Sequence, residues 1–153
     1  MTMLQNNSES VSAPSTDAPQ LTSIGRQLKA ASAITSGFGI LMVFGAHELT
    51  DGPLRLLADL FILPFDDRGP VTSEAQLLAA ILGGVMVSWG LLYWMVIDVL
   101  LPQNPALLKH IVMVTIGVWF VIDSLGSLAA GSWINVVSNV GFLAAFILPA
   151  RRL

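Results

Sequence analysis

The run WFVIDSLGSLAAGSWINVVSN, Trp119 to Asn139, sets one acid, Asp123, inside sequence that otherwise reads as lipid-facing. It turns near Gly131. Asp123 lies eight residues before that glycine and Asn139 eight after, while Ser127 and Asn135 lie four before and four after. Helical rise is the same on both legs of a hairpin, about 1.5 Å per residue, so each pair shares a depth. Asp123 and Ser127 are i,i+4 neighbours, as are Asn135 and Asn139, with Ser138 alongside. This spacing allows two polar stripes to face each other across a helical hairpin.

The composition around that stretch points to lipid as solvent. Hydrophobic residues make up 54% of the 153 and charged ones only 11%, against about 25% charged in globular chains. Length suits one domain. There are no cysteines, which removes disulfides, thiolate nucleophiles and thiolate metal sites. No basic stripe occurs, so nucleic acid is not an expected partner.

Working outward, four apolar runs are long enough to span: about 27–48, 74–101, 105–129 and 133–150. Residues 1–24 are rich in Ser, Pro and Asn and are expected to form a disordered cytoplasmic tail. Between the first two spans, 53–63 (PLRLLADLFIL) is apolar but too short to cross. It predicts a helix lying in the interface or lidding the bundle mouth, with Arg55 and Asp59 sharing one polar edge. An exposed turn, PFDDRGP, follows from Pro64 to Pro70. The second span opens on Ser73-x-x-Gln76, which reads as a capping box. Within it Ala80, Gly84 and Ser88 form a small-residue seam, suited to self-association or to another membrane protein. Trp89, Tyr93 and Trp94 read as an interfacial aromatic belt, with a ring-lined pocket as the alternative. The fold expected is therefore an all-α, four-helix transmembrane bundle with a short interfacial helix in its first outer loop.

Basic residues orient it. Arg26, Lys29, Lys109, Arg151 and Arg152 fall on one side, and Arg55 and Arg68 on the other. The positive-inside rule then predicts both termini in the cytoplasm and the polar hairpin layer in the outer half of the membrane. His47 and Glu48, at the outer end of the first span, belong to that same layer. At the inner side Asp98 is expected to pair with Lys109.

A carboxylate inside a bilayer costs about 2.5–3.5 kcal/mol on insertion scales, so Asp123 should face protein or a wet cavity. Two readings stand side by side. In one, Asp123 fixes hairpin register through Asn139 and the hydroxyls. In the other, Asp123, Asn139, Asn135, Ser127, His47 and Glu48 line an outward-open pocket for a proton, cation or small polar ligand. His47 and His110 fall at opposite interfaces, about 30 Å apart, and cannot share a metal or haem. No HExxH, GxSxG or P-loop pattern occurs. No catalytic residue, metal site or cofactor is expected.

The pattern W-F-x-x-D-S-x-G-S-x-x-x-G-x-x-x-N-x-x-x-N from Trp119 to Asn139, with GGVMVSWG from Gly83 to Gly90, resembles small bacterial membrane proteins of the BphX-like kind. The general plan is similar to the DoxX-like group. The resemblance covers about Gln27 to Pro149. It implies a four-helix bundle in a bacterial inner membrane, and it carries no established activity. Three roles follow as expectations: a non-enzymatic accessory or interaction protein, a proton- or cation-coupled transport element using Asp123, or a lipophilic-ligand binder or enzyme using the polar layer with Trp119 and Trp133.

Overall fold

In hydrocarbon the backbone has no water to bond, so a spanning chain satisfies its amides within its own helices. The computed structural model describes residues 18–61 and 71–153. In it the apolar runs become α1 (Ala18–Gly45), α3 (Ser73–Gln103), α4 (Pro105–Ala129) and α5 (Trp133–Ala150), with the short α2 (Gly52–Phe61) between the first two. All four longer helices have the length and hydropathy to cross a membrane. The protein is an all-α transmembrane bundle. The start of α1 and the end of α5 lie at the end where α3 meets α4, here the terminal end, and α2 lies at the other, the loop end.

Several local details differ from the sequence expectation. Helix α1 begins at Ala18, so 18–24, expected within the tail, are helical, and Ile24 is fully buried. Pro19 sits in the first turn, where its missing N–H costs nothing. The remainder of the expected tail, the end of the 53–63 segment and the Pro64–Pro70 turn lie outside the described residues. Helix α3 is capped one residue early: Thr72 is extended and its hydroxyl accepts from Ala75 N at 3.3 Å. Ser73 is already helical and cannot serve as the cap of a Ser73–Gln76 box. Arg55 and Asp59 both fall in α2, and Arg55 pairs with Asp51 at 2.8 Å. An acid one turn N-terminal to the arginine and at the helix start is favoured by both the i,i+4 geometry and the helix dipole.

The connection from α3 to α4 is a single residue, Asn104. Its backbone N–H donates to Leu100 O at 2.8 Å, and its side chain accepts from Leu107 N at 3.0 Å, so it closes one helix and opens the next. Pro105 follows at the first position of α4. Asp98 pairs with Lys29 of α1 and not with Lys109, because α1 packs along α3. Lys29 also lies 5.2 Å from the Trp94 ring centroid. Helix α4 packs on α5 and carries Lys109 to the end of that helix, where it donates to Arg151 O at 3.2 Å.

Helices α1 and α3 touch backbone to backbone. A Cβ on Gly39 would stand 2.5 Å from Gly83 O, and one on Gly90 2.5 Å from Ser32 O. Close approach of this kind is what small residues provide in membranes. Ser36 adds a hydrogen bond to Val87 O at 3.2 Å. The stripe Ala80–Gly84–Ser88 runs beside this contact: Gly84 and Ser88 are exposed, and a Cβ on Gly84 would meet nothing within 4 Å.

The α1/α3 and α4/α5 pairs close on each other at the terminal end. There Ile24, Leu28, Ile97, Leu108, Ile116 and Phe146 are essentially inaccessible. Tyr93 stacks 5.1 Å from Phe146 and shares a hydrogen bond with the Thr115 hydroxyl. The loop half is different. Its helices surround a space.

Candidate functional site: a cavity with one polar end

The hairpin turn fixes the geometry of the polar layer. Gly131 has φ +79°, the left-handed region that favours glycine. Ser132 N donates to Ser127 O at 2.8 Å and Gly131 N to Leu128 O at 3.0 Å. These two bonds form a Schellman motif, which turns α4 into α5 with the carbonyls of its last turn satisfied.

Across this turn the polar side chains meet. Asp123 Oδ1 accepts from Ser127 Oγ at 3.1 Å, from Asn135 Nδ2 at 3.1 Å and from Asn139 Nδ2 at 3.0 Å. Asn135 Nδ2 also donates to Ser127 Oγ at 2.7 Å, and Asn139 Nδ2 to Ser124 Oγ at 3.5 Å. A carboxylate accepts and an amide nitrogen donates, so both Asn side chains must turn their NH₂ groups toward Asp123. Their own Oδ1 atoms then point elsewhere. No described residue bonds Asp123 Oδ2, Asn135 Oδ1 or Asn139 Oδ1. Asn139 as a residue is only 4% exposed, while Asp123 and Asn135 are half-buried. Both amide nitrogens and the Ser127 hydroxyl are thus used as donors within the cluster.

A cavity of about 900 Å³ adjoins the cluster, and Asp123, Ser127, Asn135, Ser138 and Asn139 all line it. Its wall is aromatic. Phe38 and Phe142 stand 6.1 Å apart, Trp119 and Phe142 6.2 Å, and Trp89 and Trp119 5.7 Å, between ring centroids. Met42, Met86, Leu82 and Val85 add aliphatic surface. Asp123 is the sole charged side chain among the described lining residues.

Helix α2 roofs the cavity with Leu54, Leu57, Ala58 and Phe61. Ser132, at the start of α5, makes no side-chain cap there; its hydroxyl donates instead to Phe61 O at 2.7 Å. One side chain thus ties the roof to the hairpin turn. The exposed lining residues Leu60, Leu82, Val85, Gly126 and Ala130 come from α2, α3, α4 and the turn after α4. Among the described residues the exposed part of the lining thus lies between α3 and α4, beneath α2, on an apolar outer face.

Of the six residues singled out from the sequence, four come together: Asp123, Ser127, Asn135 and Asn139. His47 and Glu48 are exposed, lie in the turn after α1 and do not line the cavity. His47 has a local task, its Nδ1 accepting from Leu49 N at 3.2 Å. Trp133 is exposed and outside the lining, whereas Trp119 is part of it. Of the residues read as an aromatic belt, Trp89 lines the cavity and Tyr93 is buried in the core. Phe38, Met42, Met86, Phe142 and the roof helix were not distinguishable as site residues from sequence. One signal was present: Trp119 stands one turn from Asp123, and Phe142 three residues from Asn139, on shared helix faces. Among the described residues no group of three His, Asp or Glu side chains gathers as metal ligands. No family model matches the chain, and no curated protein or solved structure matches it.

Proposed function

We propose that this small multi-pass membrane protein is a non-enzymatic binder of lipophilic ligands. The observation that carries the reading is the cavity of about 900 Å³, aromatic along its wall and polar at one end. That size and that division match small-molecule sites, which are mostly apolar with a few convergent polar groups. An opening between two lipid-facing helices suits a ligand that arrives from the bilayer. The described partners of Asp123 are amides and a hydroxyl, and no second acid or histidine stands among the described lining residues. Such a set can hold and orient a ligand but lacks the paired acid and base of hydrolytic chemistry.

The test is purification in a mild detergent followed by native mass spectrometry for bound lipophiles. Wild type is expected to retain one, and Ala58→Phe, which fills the space from the roof, to lose it. If both emerge equally ligand-free and equally unable to take up added lipophiles, the reading fails.

A second role, association with another membrane protein or with a second copy, is supported by the exposed backbone at Gly84 between Ala80 and Ser88. For the setting we propose a bacterial inner membrane with both termini cytoplasmic. Support comes from Arg26, Lys29, Lys109, Arg151 and Arg152, which all belong to the terminal end of the bundle. A reporter fused at the C-terminus should read as cytoplasmic; a periplasmic reading overturns the orientation.

A further inference from the structure

We infer that the ligand's head group is a protonated amine, so that the cavity selects lipophilic ammonium compounds over neutral or acidic lipophiles of equal length. The inference rests on the ligand-binding reading above and deepens it.

Three features converge on the same end of the cavity. The first is charge. Asp123 is the only charged side chain among the described lining residues, and its described partners are all neutral. Charged groups within membranes pair with one another or with polar groups. An ammonium in the cavity would place an opposite charge beside it.

The second is hydrogen-bond polarity. Ser127 Oγ and the two amide nitrogens are directed at Asp123 Oδ1 or at a neighbouring hydroxyl. What has no partner among the described residues is Asp123 Oδ2 with the Oδ1 atoms of Asn135 and Asn139, on three side chains that line the cavity. An ammonium offers N–H donors and no acceptor, the complement of three oxygens. A carboxylate head would meet Oδ2 with like charge. A hydroxyl could use one oxygen and would leave the charge uncompensated.

The third is the aromatic wall. Trp119 lies one turn from Asp123 and packs against both Trp89 and Phe142. Indole faces attract cations, most strongly where water is excluded. Carboxylate and ring faces therefore favour the same ligand charge. The aliphatic surface of Leu82, Val85 and Met86 accepts the chain that follows.

The experiment uses the full chain in zwitterionic lipid nanodiscs. Trp94→Phe and Trp133→Phe restrict the tryptophan signal to Trp89 and Trp119. Dodecylamine, dodecanol and dodecanoate are titrated by fluorescence and by isothermal calorimetry. Dodecylamine is expected to bind at least tenfold more tightly than dodecanol, with dodecanoate weakest. Asp123→Asn is expected to erase the preference while dodecanol still binds, its fold being checked by circular dichroism. The wild-type comparison needs no variant. Equal binding of amine and alcohol, or tighter binding of dodecanoate, overturns the ammonium inference and leaves the cavity reading standing. No cavity-dependent signal from any of the three, with Ala58→Phe indistinguishable from its parent, overturns both.

Discussion

Asp123 is bound into the hairpin by three donors on one oxygen, and the consequences of replacing it follow from what those donors would lose. Asp123→Asn keeps the size and one acceptor oxygen. Asp123→Leu leaves the NH₂ groups of Asn135 and Asn139 without that acceptor, and Asn139 is buried. An unsatisfied buried polar group costs about 1–3 kcal/mol. Thermal unfolding in detergent should therefore rank wild type above Asp123→Asn and Asp123→Asn above Asp123→Leu. An Asp123→Leu protein as stable as wild type would show that the cluster does not hold the hairpin. At the turn, Gly131→Ala places a Cβ at φ +79° and should cost about 1 kcal/mol, read in the same melt. The site residues were readable from sequence to the extent that their geometry is local. Asp123, Ser127, Asn135 and Asn139 are counted from one glycine. His47 and Glu48 were grouped with them on depth alone, and depth does not say which way a side chain faces.

At the scale of helices, the tight α1/α3 contact and the roof give separate predictions. Gly83→Ala puts a Cβ 2.5 Å from Gly39 O and 3.0 Å from Val43 N, backbone atoms that cannot move aside cheaply. Overpacking of this kind costs about 1–3 kcal/mol. Gly84→Ala, one residue further, meets nothing within 4 Å and should leave the melting temperature unchanged or raise it. The two variants measured together locate the seam, and equal effects would contradict it. Among the described residues one side-chain bond joins the roof to the turn. Ser132→Ala removes the donor to Phe61 O, a net loss of about 0.5–1.5 kcal/mol. Hydrogen exchange of the α2 amides should accelerate by several-fold, with α4 unchanged; exchange in α2 that stays at the wild-type rate would mean that other contacts hold it.

The whole molecule divides into a packed half and a hollow half. The terminal end has a closed core, from Ile24 and Leu28 through Ile97 and Ile116 to Phe146. Toward the loop end Phe38, Trp119 and Phe142 line a cavity wall. This division assigns different effects to similar substitutions. Ile97→Ala, in the closed core, should cost about 2–5 kcal/mol of stability. Met86→Ala, beside existing space, should cost less in the melt and alter ligand uptake instead. If Met86→Ala were the more destabilising of the two, the loop half would be a packed core.

The sequence by itself determined four spanning helices, a short extra helix and the register of the last hairpin. Each of these depends on something local. Lipid imposes its length and hydropathy requirement on every segment separately, and helical rise sets depth from residue number alone. Tertiary structure alone decided the cavity, the roof's position, the Gly39–Gly83 contact and the pairing of Asp98 with Lys29. The physical reason is that a helix in hydrocarbon is apolar on all sides. The periodic contrast that marks the inward face of a water-soluble helix is then largely absent. Gly83 and Gly84 are adjacent and chemically identical, yet one is buried against a neighbouring backbone and the other is exposed. Only the packing of α1 against α3 tells them apart.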